Sequence, residues 1–217
     1  MNQLELVIFD MDGLLFDTER LHFRAFQQTA EKLGFEFTFD TYLKVVGMTD
    51  EKGREILREI YGKDSAIMNS FDLYHEEIER IIEKEGIPVK PGVKKLLDIL
   101  DEKQIRRCIA SSSAPEVIER NTKLTGIHDR FEFYVGGTEV KHGKPAPDIF
   151  LEAMKRADVQ PEKAIVLEDS YHGLQAAVRA GLRCIVIPDL IQPNEEMQKN
   201  AFRIFNDLGK VADFLQN

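Results

Sequence analysis

Six side chains in this 217-residue sequence have the types and placement to handle an anionic group and a hard metal ion: Asp10, Asp12, Ser111, Lys144, Glu168 and Asp169. Asp10 and Asp12 flank Met11 and precede Gly13, at the end of the apolar run Leu6-Val7-Ile8-Phe9. This Asp-x-Asp-Gly run is not a calcium-binding EF-hand loop, which needs glycine and glutamate where this chain has Leu15 and Leu21. Taken alone, it is equally consistent with aspartates that shape a turn. Ser111 follows Cys108-Ile109-Ala110, and Ser113-Ala114-Pro115-Glu116 matches a capping box, serine at the N-cap with glutamate three positions on. A helix is therefore expected to start beside Ser111. Its free N–H groups and positive dipole end, with the serine hydroxyl, suit phosphoryl oxygens.

Lys144 sits in Gly143-Lys144-Pro145-Ala146-Pro147, where two prolines stiffen the backbone just ahead of a helical pattern beginning near Asp148. A lone lysine is usually a solvated surface charge. Glu168-Asp169 close the run Ala164-Ile165-Val166-Leu167 and precede Ser170, and Asp169 by itself is also a plausible helix cap.

The elements that must position these residues are legible in the hydrophobic pattern. Strand-length apolar runs occur at 6–9, 108–110, 133–135, 164–167 and 184–187. Helical stripes lie between the later ones: Val93, Leu96, Leu97 and Leu100; Val117, Ile118 and Leu124; Ile149, Phe150, Ala153, Met154 and Ala157; Leu174, Ala177 and Val178. This alternation predicts an α/β fold, a doubly wound and mostly parallel sheet with helices on both faces, whose ligands lie at the C-terminal strand ends. All six residues then converge on one crevice. Crowded carboxylates repel unless a cation joins them, and hard oxygen ligands suit Mg2+ bridging to a phosphate.

Residues 16–88 break the rhythm. They carry three helical stripes, Leu21-Ala25-Phe26-Ala30-Leu33, Ile56-Leu57-Ile60 and Tyr74-Ile78-Ile81-Ile82, and Gly86-Ile87-Pro88 punctuates their end. An inserted helical bundle is expected there.

Composition narrows the function classes. A formal charge of −9 argues against a general affinity for nucleic acid or anionic membrane. No stretch has the length and apolarity of a membrane span, and the N-terminal residues have no basic start or long apolar run, so a cytoplasmic location is expected. Cys108 and Cys184 are expected as reduced strand residues. No paired ligand spacing joins His75, His128, His142 and His172, so zinc is not expected.

The order of these motifs closely resembles the haloacid dehalogenase superfamily. Asp10-Met11-Asp12-Gly13 looks like its motif one, Ser111 motif two, Lys144 motif three and Glu168-Asp169 motif four. The helical insert after motif one is similar to the cap of the subfamily that includes β-phosphoglucomutase and many sugar- and nucleotide-phosphate phosphatases. The resemblance implies a Rossmann-like core at 1–15 and 89–217, with an α-helical cap at 16–88.

It further implies that Asp10 attacks phosphorus to form an aspartyl-phosphate, while Asp12 protonates the leaving group and then deprotonates water. Ser111, Ser112 and Lys144 would bind the phosphoryl group, and Asp10, Asp12 through its carbonyl, Glu168 and Asp169 would surround magnesium. The substrate implied is a small phosphomonoester. The sequence carries no signal for oligomeric state, and a monomer is the default expectation. A cap closing on hinges near Phe16-Asp17 and Gly86-Ile87-Pro88 is also expected.

Within the superfamily, the name-giving dehalogenases lack the equivalent of Asp12. Thr18 and His22 match the mutase's cap-proximal threonine and histidine, and Gly47 resembles its specificity-loop glycine. Near Asp50, however, the mutase would carry an arginine. A carboxylate there repels a distal phosphate. A phosphatase is therefore expected, with a β-phosphoglucomutase-type mutase as the alternative within enzymes and a non-catalytic phosphometabolite-binding protein as the alternative from another class. Stretches at 10–15, 17–21 and 142–145 also look like pseudouridine-5′-phosphate phosphatases.

Overall fold

A computed structural model describes residues 4–46, 50–63 and 65–216. They form two compact units, one made of 1–17 and 88–217, the other of 18–87.

The unit at 18–87 is helical. It contains α1 (Thr18–Leu33), α2 (Phe39–Tyr42), α3 (Asp50–Tyr61) and α4 (Phe71–Glu85). The first and third stripes meet as expected: Leu21 and Ala25 on α1 bury against Tyr74, Ile78 and Ile81 on α4, with Phe26 and Ile82 beside them. The second stripe is only partly used, because Leu57 is buried while Ile60 is exposed. An aromatic cluster of Phe23, Phe26, Phe37, Phe39, Tyr42 and Tyr74 adds to this core, with Phe26 and Tyr74 stacked at 4.0 Å.

The other unit is a six-stranded, all-parallel sheet in the order β3-β2-β1-β4-β5-β6. Along the chain it comprises β1 (Leu6–Phe9), α5 (Val93–Glu102), β2 (Arg106–Ser111), α6 (Pro115–Leu124), β3 (Tyr134–Gly136), α7 (Asp148–Ala157), β4 (Ala164–Glu168), α8 (Tyr171–Arg179), β5 (Arg183–Val186), α9 (Glu195–Asn200), β6 (Arg203–Ile204) and α10 (Leu208–Gln216). The third strand is shifted one residue from its apolar run, and the sixth was not anticipated. Two residues, one of them an arginine, are too few to show a strand pattern.

Buried parallel strands are apolar on both faces, and β1 and β4 are buried throughout. Leu6 and Ile8 join a cluster with Cys108, Ala110, Phe150, Ala153, Val166, Leu174 and Ala177, under α7 and α8. The two-residue period sends Val7 and Phe9 to the opposite face, where Phe9 meets Phe131 edge-on at 5.5 Å. Each such side chain contributes about 2 kcal/mol on burial. Both thiols lie inside this core, and burial pushes the Cys108 and Cys184 pKa values up.

Candidate active site

The strand order puts β1 at the sheet's centre, between β2 and β4, with Phe9 beside Ile109 and Leu167. β1 ends there, and its neighbours end at Ser111 and Glu168, within two residues of the same edge. Asp10 therefore emerges next to Ala110 and Glu168, and its N–H donates to the Leu167 carbonyl at 3.0 Å. This register alone gathers side chains about 100 and 158 positions apart in sequence.

Lys144 enters this edge from the loop before α7. Its Nζ donates to Asp10 Oδ1 at 2.5 Å, Glu168 Oε1 at 2.6 Å and the Ala110 carbonyl at 3.3 Å, and it lies 5.1 Å from the Phe150 ring centre. The loop is held at Pro145, whose carbonyl accepts from Arg179 Nη1 of α8 at 2.6 Å. Lys144 is thus a buried cation between two buried carboxylates, its side chain only 7% exposed. Burial disfavours its charge, but Asp10 and Glu168 outweigh that and hold its pKa above the ordinary lysine value. Burial likewise pushes the Asp10 carboxyl up to about 8, against the pull of Lys144 and with Glu168 and Asp12 reinforcing it.

Glu168 uses both oxygens. Oε1 accepts from Lys144, while Oε2 accepts from the Ser170 N–H at 2.8 Å and the Ser170 hydroxyl at 2.9 Å. The same hydroxyl accepts from the Gly173 N–H at 3.0 Å and caps α8. The cap of this helix is therefore Ser170 and not Asp169. Gly173 is part of the arrangement, since a Cβ there would lie 1.7 Å from Glu168 Oε1. Gly13 has a φ of +80°, and its Cβ would fall 2.4 Å from Asp169 Oδ2. Both glycines let backbone approach a carboxylate that a side chain would displace.

Asp10, Glu168 and Asp169 each offer a carboxylate oxygen, all within 4.8 Å of one another. Three hard oxygen donors at the end of a sheet fit a divalent cation of the magnesium type better than a soft or nitrogen-seeking metal.

Ser111 is buried beside Asp10's strand, its Oγ accepting from the Ser113 N–H at 3.1 Å, and Ser112 is exposed. The expected capping box does not form: α6 begins at Pro115 with Ala114 as its N-cap and no side-chain cap. The Ser113 hydroxyl instead donates to Asp12 Oδ2 at 2.8 Å. A local pattern was outcompeted by a partner 101 residues away. Ser113 is thus a site residue that the sequence had assigned to a different task.

Of the candidates in the helical unit, Thr18 is buried on α1 and His22, half-buried, pairs through Nδ1 with the Tyr74 hydroxyl. Gly47 lies outside the described residues. Leu15 and Phe16 are fully buried packing residues of the sheet unit.

The haloacid dehalogenase-like hydrolase family matches residues 7–187. The phosphorylated carbohydrates phosphatase of Thermotoga maritima is 38% identical over 183 residues, 84% of each chain. The beta-phosphoglucomutase of Bacillus subtilis is 32% identical over 187 residues, covering 82% of this chain and 81% of the relative. Among solved structures, CbbY from Rhodobacter sphaeroides in complex with phosphate superposes with a TM-score of 0.77 at 30% identity over 96% of each chain.

Proposed function

The chain belongs to the haloacid dehalogenase-like hydrolases, and from that premise we propose that it is a magnesium-dependent phosphatase of small phosphomonoesters, working through a phosphorylated Asp10. The observation that carries this reading is the Lys144 ammonium, held 2.5 Å from a buried Asp10 carboxylate at the centre of the sheet edge.

Asp10 is the nucleophile: its carboxylate attacks phosphorus in line and the ester oxygen leaves. Asp12, two residues on, gives that oxygen a proton and later takes one from the water that attacks the acyl phosphate. Lys144 and Ser111, with Ser112 at the loop's exposed side, hold the non-bridging oxygens, where added negative charge would otherwise meet Asp10, Glu168 and Asp169. Asp10, Asp169 and the Asp12 carbonyl, with Glu168 alongside, would hold the magnesium ion, which supplies charge neutralisation at the phosphoryl group. Glu168 also fixes Lys144, since its two oxygens are shared between that lysine and Ser170.

One relative is named as a phosphatase of phosphorylated carbohydrates, which favours sugar phosphates as the substrate class for this chain. The similarity to a beta-phosphoglucomutase keeps a second reading in view. The aspartate at position 50 disfavours a second phosphate, and with it a bisphosphate-primed mutase. The unit at 18–87 would then act as the cap of a catalytic core made of 1–17 and 88–217.

The test is phosphate release from a panel that includes glucose 6-phosphate, glucose 1-phosphate, ribose 5-phosphate and nucleoside monophosphates, with magnesium or EDTA, for the wild type and Asp10→Asn. Magnesium-dependent release that Asp10→Asn abolishes supports the proposal. Isomerisation of β-glucose 1-phosphate to glucose 6-phosphate without net release would replace it with the mutase.

A further inference from the structure

We propose that Ser113 is a positioning residue for Asp12, aiming the carboxyl that trades protons with the leaving group. The inference rests on the assignment of Asp12 as general acid and base made above.

Ser113 has the residue type and sequence context of a helix cap, yet it caps nothing. Its hydroxyl donates instead to Asp12 Oδ2 at 2.8 Å. Its backbone N–H and carbonyl are both fixed as well. The Ser113 N–H donates to Ser111 Oγ at 3.1 Å, and its carbonyl accepts from the Gly137 N–H at 2.9 Å. Gly137 reaches that distance because it has no side chain, since a Cβ there would stand 2.3 Å from the Ser112 carbonyl oxygen.

The hydroxyl is therefore mounted on a loop clamped between β2 and the segment after β3. Asp12 lies in the turn after β1. One hydrogen bond thus ties the proton-transferring side chain to the loop that carries Ser111 and Ser112, the residues assigned to the phosphoryl oxygens. A carboxyl with one oxygen anchored keeps the other in a defined direction. A proton transfer needs that orientation, because the donor must reach the bridging oxygen as its bond to phosphorus breaks. The proton passes from Asp12 to the leaving oxygen, and Ser113 keeps its own.

The discriminating readout is dependence on the leaving group. A sugar alkoxide needs a proton to depart, whereas p-nitrophenolate does not. The comparison uses kcat/KM, which reports the first phosphoryl transfer, for the fastest sugar phosphate of the panel above and for p-nitrophenyl phosphate. Ser113→Ala is expected to lower the sugar-phosphate value about tenfold, the scale of one lost hydrogen bond to a charged group. It should leave p-nitrophenyl phosphate within about twofold. Ser113→Thr, which keeps the hydroxyl, should restore most of the loss, and Asp12→Asn should show the same selectivity more strongly.

An equal loss on both substrates in Ser113→Ala, with Asp12→Asn still selective, would overturn the proposal and make Ser113 a loop or phosphoryl-binding residue. A non-selective Asp12→Asn would instead remove Asp12 as the acid, and the role of Ser113 would fall with it.

Discussion

Glu168 Oε1 stands 2.6 Å from Lys144 Nζ, while its other oxygen is bound by the residue that caps α8. Lys144 is thus braced through a carboxylate to the start of a helix. The network runs from Ser170 through Glu168 and Lys144 to Asp10, with Glu168 fully buried.

Gly173 tests that brace. In a helix, glycine to alanine ordinarily gains about 1 kcal/mol from propensity. Here the new Cβ would meet Glu168 Oε1 at 1.7 Å. Gly173→Ala is expected to lose about 1–3 kcal/mol in urea unfolding, as overpacking does, and to lower kcat/KM because Lys144 loses its alignment. A variant more stable than the wild type would mean that Glu168 moves without cost.

Lys144→Met should reduce kcat/KM by about 10²–10³-fold, the scale of one preorganised electrostatic donor. Lys144→Arg should recover little of it, because a planar guanidinium does not replace a compact ammonium in a site where the side chain is 7% exposed. Steady-state rates on the best substrate decide this. Full activity in the arginine variant would contradict the need for a point donor.

The Asp10 carboxyl gives a pH dependence with a definite sign. Its pKa is raised by burial from 3.8 to about 8, so between those values the folded, metal-free protein retains a proton that the unfolded chain has released. That contribution to stability is complete below the unfolded value and disappears as pH rises through the folded one. In EDTA, the thermal midpoint of the wild type relative to that of Asp10→Asn should fall between pH 5 and pH 8.5, roughly the span of the shift. Magnesium should flatten the difference, because a cation favours the ionised carboxylate. Parallel profiles for the two proteins in EDTA would refute it.

Cys108 and Cys184 are buried with raised pKa values. Ellman's reagent should therefore find no fast-reacting thiol in the native protein at pH 8 and both thiols once guanidinium unfolds it. Rapid labelling of either in the native state would show that the sheet opens locally.

Much of this was legible in the sequence because the strands are buried on both faces. Continuous runs such as Ala164 to Leu167 mark both their position and the edge where Glu168 and Asp169 emerge. The all-parallel topology follows from the alternation of strands and helices. What escaped detection was decided by distant partners or by very short elements. Strand β6 has two residues. Ser113 satisfied a local capping pattern, but a carboxylate from another strand end claimed its hydroxyl. Ser170, which follows the aspartate that looked like the helix cap, both caps α8 and holds Glu168. The aromatic cluster of the helical unit draws on Phe37, Phe39 and Tyr42, which fall outside any helical stripe and were invisible to periodicity.

The most direct test of the central claim is to locate the phosphoryl group. Enzyme mixed with magnesium and its best substrate is quenched in acid within the first turnover, digested and examined by peptide mass spectrometry. The account expects one phosphoryl adduct on the peptide containing Asp10, absent from Asp10→Asn. Full substrate turnover with no adduct at any quench time, or with the adduct on another residue, would contradict it.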